Sequence, residues 1–334
     1  MASELQPLSA ILLATEVPGA GPELSPLSAS AYIALDLDAA SLDAEAQTRV
    51  AAWIRSAPGP VLGVGGTAAN RIVAEACDAH VVQKADLAPL IANIQRSPIA
   101  AAVMVRLLRT TEGLAIEDAL LVESLAYSTL QTGPEYQRWL AEHRAAAPFE
   151  HRDAGPAVLI ERDRTTLTLS LNRPSNRNGM TVEMRDALVE ALQLVQTDPD
   201  IERAVLRGEG KCFSTGGDLT EFGTAPDPAT AHAVRTLRLP GRELAACASR
   251  VEAQLHGACI GSGIEFPAFA GRVVADASTH FQLPELKFGL IPGAGGCVSI
   301  PRRIGRQRTA WWVLSGQRIN VRQALDWGLI DAIV

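Results

Sequence analysis

Three glycine-rich turns dominate the second half of this chain: Thr215-Gly216-Gly217, Gly261-Ser262-Gly263 and Pro292-Gly293-Ala294-Gly295-Gly296. They separate short elements, and short strands alternating with helices imply an α/β fold. Residues 157–162 and 166–171 read as strands, the second alternating Thr or Ser with Leu. A helix is predicted over 181–197, where Met184, Leu188, Ala191, Leu192 and Val195 share one face and Thr181 is placed to cap it. Residues 203–207 read as a further strand, and helices are predicted over 307–315 and 320–327.

The first half has a different texture. Residues 32–37 and 60–64 read as strands around a helix over 42–55 with Val50, Trp53 and Ile54 inward. Residues 88–109 and 117–143 read as consecutive helices with almost no strand signal, and 145–156, with its Ala, Gly and Pro, reads as a linker. A length of 334 residues suggests two domains at roughly 100–200 residues each.

Composition narrows the partners. Hydrophobic residues at 47% exclude a disordered chain, and a net charge of −7 gives no electrostatic footprint for nucleic acid. No apolar run reaches the ~20 residues of a membrane span. The cysteines at 77, 212, 247, 259 and 297 are scattered without a CxxC pair, which argues against zinc and disulfide frameworks and for a reducing, cytoplasmic setting.

Chemistry has three places to reside. In Phe213-Ser214-Thr215-Gly216-Gly217-Asp218-Leu219 a strand runs through glycines into a helix start, leaving backbone N–H groups for an anion or a polarised carbonyl. Alone, such a turn is more often structural. Around Gly261-Ser262-Gly263, Glu265 falls in the first turn of an otherwise apolar helix, where a carboxylate is either a helix-dipole partner or an inward acid/base. Glu285, between Pro284 and an apolar stretch, poses the same choice of cap or catalyst.

Together these segments resemble the enoyl-CoA hydratase/isomerase (crotonase) superfamily. Leu171-Asn172-Arg173-Pro174 with Asn178 is similar to its LNRP…N segment, and Phe213 to Leu219 is similar to its FxAGADL. Gly257 to Glu265 looks like NGxxxGGGxE, and Pro284-Glu285 with Gly289 to Gly296 looks like PExxxGxxPGAGG. The resemblance covers about 156–334 and implies a crotonase-like (ClpP/crotonase) spiral of ββα units. It implies an acyl-CoA thioester whose oxygen accepts from the N–H groups of Gly217 and Ser262. Each such donor is worth roughly 3–4 kcal/mol in other oxyanion holes. Glu265 is thereby expected to handle water at the β-carbon and Glu285 the α-carbon proton. The implied binding set is Arg173, Ser214, Gly217, Asp218, Leu219, Thr220 and Ser262. The pair of glutamates favours a hydratase over an isomerase, dehydratase or thioester hydrolase, and over a silent scaffold. No metal is implied, coenzyme A arrives as part of the substrate, and a homo-oligomer, trimer or hexamer, is expected.

The departures are specific. The family's Asn before the glycine is His256, read here as structural, and its middle glycine is Ser262, which adds a Cβ that could narrow the pocket. Phosphate-binding cations are sought in Arg173, Arg177 and the arginines of 302–308, the last run reading rather as a solvated helix face or oligomer contact. The family's terminal helices are expected after Gly328-Leu329, yet the segments resembling them, from Ser97-Pro98 and over 123–144, lie upstream. The expected organisation is therefore a degenerate or accessory unit at 1–90, helices resembling the family tail at 91–146, a linker at 147–156 and a catalytic core at 157–334.

Overall fold

The computed structural model describes residues 5–17, 25–28, 30–143 and 153–334. Most of the expected linker, together with Arg144, lies outside them. In the first part, β1 (Gln6–Pro7), α1 (Leu8–Ala14), β2 (Ile33–Asp36), α2 (Ala44–Ser56), β3 (Val61–Val64), α3 (Arg71–Ala76) and β4 (Ala79–Val81) follow in order. The four strands form one parallel sheet, β1-β2-β3-β4. Both faces are covered, as parallel sheets require. Leu35 and Val61 pack with Leu8, Val50, Ile54 and Val73 on one side. Alternate residues Ala34, Leu62 and Val64 join the main core on the other.

The helical stretch contains four helices where two runs are expected. These are α4 (Ala88–Arg96), α5 (Pro98–Thr111), α6 (Ile116–Gln131) and α7 (Pro134–His143). Pro98 and Pro134 cause two of the breaks, since each forces the residue before it out of helical geometry. Glu135 on α7 accepts from the amides of Ile99 and Ala100 at 2.7 and 2.9 Å, capping α5 from outside.

The remainder comprises β5 (Val158–Asp163), β6 (Thr166–Leu171), α8 (Val182–Thr197), β7 (Arg203–Gly208), α9 (Pro228–Leu237), α10 (Pro240–Ala246), β8 (Val251–Leu255), β9 (Ala258–Ile260) and α11 (Ser262–Glu265). After these come β10 (Arg272–Ala275), β11 (His280–Gln282), α12 (Gly296–Ile304), α13 (Arg306–Ser315), β12 (Ile319–Asn320), α14 (Val321–Trp327) and β13 (Ala332–Ile333). Thr181 caps α8 as expected, its Oγ1 accepting from Met184 N. The pattern of apolar residues had not marked α9 or α10.

A six-stranded sheet runs β13-β10-β8-β7-β6-β5, parallel except for the β5–β6 hairpin, and a second sheet runs β12-β11-β9. Each pass of the chain lays a strand in the first sheet and, a few residues on, one in the second: β8 then β9, and β10 then β11. The pass from β7 does the same, ending in a bridge from Ser214 to Cys259. This is the expected spiral of ββα units. One buried ion cluster ties it to the first part, because Asp78 after α3 meets Arg109 of α5 and Arg306 of α13. Among the described residues, no helix is long and apolar enough to cross a membrane.

Candidate active site

The strand ends of the second sheet converge on a cavity of about 620 Å³. Two turns form its rim. Gly216 has φ +92°, and a Cβ there would sit 2.7 Å from Ile260 O, so only glycine lets the two turns close on each other. This contact sets the amides of Gly217 and Ser262 on the cavity wall, and among the described residues neither donates a hydrogen bond to protein. Ser262 begins α11, so its Cβ costs no left-handed strain. Its Oγ is buried with no partner among the described residues.

Glu265 and Glu285 both stand at this rim. A Cβ at Gly261 would lie 2.8 Å from Glu285 Oε1 and 3.8 Å from Glu265 Oε1, which places both carboxylates beside the same turn. Their surroundings differ. Glu265 Oε2 accepts from the amides of Ala294 and Gly296 at 2.7 and 3.1 Å. Burial pushes its carboxyl up to about 7, against the pull of those amides. Glu285 follows Pro284 in a tight helical turn, and its Oε2 is buried without a partner among the described residues. Burial and the neighbouring Glu265 charge raise it well above the usual carboxylate range.

A third carboxylate stands behind them. Glu123 of α6, 1% exposed, accepts from the amides of Gly295 and Cys297 at 2.7 and 2.8 Å. Four successive amides at the start of α12 are thus shared alternately between Glu265 and Glu123. A helix N-terminus is a favourable place for such charge. Burial first, then the Glu265 charge, pushes Glu123 up to about 8. Glu123 does not line the cavity, although Tyr127, Gln131 and Tyr136 of α6 and α7 do. Sequence reasoning missed this group. The available signal is a carboxylate directly after the apolar run Ala119-Leu120-Leu121-Val122, on the face that Ala119 and Leu120 bury.

Of the expected binding set, Gly217, Asp218, Leu219 and Ser262 line the cavity, and Arg173, Ser214 and Thr220 do not. Arg173 is spent on Glu183 at 2.6 Å and on backbone carbonyls. Ser214 Oγ donates to Asn178 O and accepts from Gly216 N, bracing the turn from behind. Thr220 Oγ1 donates to Asp218 Oδ1. These three hold the wall without facing the cavity. His256 Nε2 lies 3.1 Å from Gly210 O, a structural placement in keeping with the expectation. Arg302, Arg303 and Arg306 are likewise occupied within the chain, on carbonyls and on Asp78 and Asp331.

Comparison with known proteins points the same way. Residues 161–334 match a family profile described as enoyl-CoA hydratase/isomerase. The 2,3-dehydroadipyl-CoA hydratase of Escherichia coli (strain K12) is 33% identical over 176 residues, spanning 53% of this chain and 68% of the relative. The 1,2-epoxyphenylacetyl-CoA isomerase of the same organism is also 33% identical, over 53% of this chain and 69% of its own. The crystal structure of an enoyl-CoA hydratase from Bacillus anthracis superposes with a TM-score of 0.50 at 26% identity, covering 53% of this chain and 70% of that one.

Proposed function

The chain belongs to the enoyl-CoA hydratase/isomerase family, and from that premise we propose that it adds water across the 2,3 double bond of an enoyl-CoA thioester. The observation that carries the reading is the unequal setting of two carboxylates beside one pair of free amides. The thioester oxygen accepts from Gly217 N and Ser262 N, which stabilise the enolate charge as it develops. Glu265, held toward its ionised form by two amides, takes a proton from water as that water attacks the β-carbon. Glu285, kept protonated by burial, gives its proton to the α-carbon. Transfer of the proton from Glu265 to Glu285 restores the starting state.

The test follows loss of the conjugated enoyl absorbance with crotonyl-CoA, in the parent chain and in Glu285→Gln. Absence of hydration, or equal rates in both, overturns the assignment. One observation favours a second reading, isomerisation of an enoyl-CoA by Glu285 alone. Glu265 Oε2 is already committed to the loop, whereas Glu285 Oε2 is buried with no partner among the described residues. Glu265→Gln separates the two, because it abolishes hydration and spares isomerisation.

The proposal extends to organisation. The helices from α5 to α7 act as the family's terminal helices placed ahead of the core, supported by the cavity lining that α6 and α7 contribute. Residues 1–90 act as an accessory unit without chemistry of its own. The chain works as a homo-oligomer, a trimer or hexamer, in the cytoplasm. Exposed Leu121 and Leu125, one turn apart on α6, support an interface, which sedimentation checks.

A further inference from the structure

We propose that the cavity contains an anion subsite at Arg235, and that the acyl chain taken by this site ends in a carboxylate. The proposal rests on the thioester reading above and names its substrate class. Arg235 lies on α9 and lines the cavity, with its guanidinium 4.3 Å from the centre of the Tyr127 ring. That ring in turn packs against Gly293, next to the loop amides that hold Glu265. The guanidinium therefore stands on the Glu265 side of the oxyanion turn. Once the thioester oxygen rests on Gly217 and Ser262, this is the side toward which the acyl chain extends beyond its β-carbon.

The hydrogen bonding of Arg235 is incomplete. Nη1 reaches Ser128 Oγ at 2.9 Å and Ser124 Oγ at 3.4 Å, both neutral. Among the described residues, Nη1 alone of the guanidinium nitrogens donates a hydrogen bond, and Arg235 forms no ion pair with a carboxylate. The other arginines of the lining are already engaged, Arg185 by Asp186 at 2.9 Å and Arg238 by Glu190 at 4.0 Å. The carboxylates nearest in charge, Glu123 and Glu265, are hydrogen-bonded to the loop amides of residues 294–297 rather than to Arg235. A half-buried guanidinium with one open edge is costly beside an apolar chain. The Nε–Nη2 edge matches the two oxygens of a carboxylate. A methyl-ended chain would cover that edge without satisfying it.

Binding of saturated acyl thioesters, matched in length and ending in a methyl or a carboxylate, tests this by titration calorimetry without requiring turnover. The parent chain is expected to favour the carboxylate by about 10- to 100-fold. Arg235→Met should bring the ratio to about one, with Arg235→Lys in between. The same ratios measured on N-acetylcysteamine thioesters, which lack the coenzyme phosphates, separate an acyl carboxylate from a phosphate as the bound anion. No preference in the parent chain overturns the proposal, and this reading stands even if a variant fails to fold. A ratio unchanged by Arg235→Met, or a loss confined to coenzyme A thioesters of both kinds, overturns it as well. If the preference holds but no enoyl thioester is hydrated, the subsite stands and the hydratase reading falls.

Discussion

Two Gly-Gly turns follow parallel strands, one from the N-terminal sheet and one from the core sheet, and among the described residues only one has amides to spare. Gly65-Gly66 follows β3, with Gly65 at φ +110°, and Gly216-Gly217 follows the β7 pass, with Gly216 at φ +92°. At the first, Asp38 fills the space in front of the turn and its Oδ1 accepts from Gly66 N at 2.8 Å. The polar groups around it are spent in the same way. His80 Nε2 lies 2.6 Å from Gly65 O, and Asn70 links Leu37 O to Leu42 N. At the second turn and the Gly261-Ser262 turn beside it, Gly217 N, Ser262 N and Glu285 Oε2 have no partner among the described residues. A glycine turn thus offers its amides to a ligand only where the chain withholds its own acceptor. The N-terminal sheet satisfies itself, and the core sheet leaves work for a substrate.

The contrast can be pressed hardest at Glu285. Replacing it with Gln removes the proposed proton donor and should lower kcat by about 10³-fold, with KM for crotonyl-CoA little changed in steady-state assays. Ser262→Pro comes next. Proline is tolerated in the first turn of a helix, so the variant deletes one free amide with little structural penalty. A kcat loss of about 10²- to 10³-fold is expected, with a thermal melt near that of the parent chain. A loss under tenfold would mean that the amide takes no part in turnover.

Glu123→Gln should cost about tenfold or less in kcat and should leave the limb that requires Glu265 ionised in place. Glu123, pushed up to about 8, is still mostly protonated where Glu265, at about 7, ionises, so the amide replaces a carboxyl that carries little charge there. Stability carries a related sign. Glu123, Glu265 and Glu285 are raised in the folded chain, which therefore binds more protons than the unfolded one above the usual carboxylate value of 4.5. Folding stability should fall as pH rises from about 4.5 through about 8, and denaturant melts of Glu123→Gln should show a shallower slope. The smallest effect belongs to the silent turn. Asp38→Ala should cost about 1 kcal/mol in urea melts and leave kcat and KM unchanged.

The comparison also explains what the sequence made legible. The turns at 216, 261 and 293 impose local backbone demands, so residue type and spacing report them directly, and Glu265 and Glu285 are anchored to those turns within a few positions. Glu123 meets amides 172 and 174 positions away, and in its own helix it reads as one charge among Ala, Leu and Val. Arg235 lies on a helix with no clear apolar stripe, and its meaning comes from Tyr127 on another helix. Arg173 misled for the opposite reason. A cation beside a recognised motif looks ready for a phosphate, but Glu183, ten residues on, brings its carboxylate round to it. The break at Pro98 is legible, since Ser97-Pro98 reads as a helix start, whereas Pro134 sits within a run of helix formers that obscures it.

The cluster of Asp78 with Arg109 and Arg306 bears on how this protein can be divided. It fastens the four-stranded sheet to α5 and α13 at once, and Gln307 adds bonds to Ala74 O and Cys77 O across the same seam. Cutting the chain back to the stretch that resembles its relatives would strand Arg306 without its carboxylate and bare the α13 surface that the sheet covers. It would also remove the wall formed by Tyr127 and Tyr136. The familiar half is therefore not a detachable module, and grafting it alone onto another scaffold would carry over Glu265 and Glu285 without the full wall of the cavity they line.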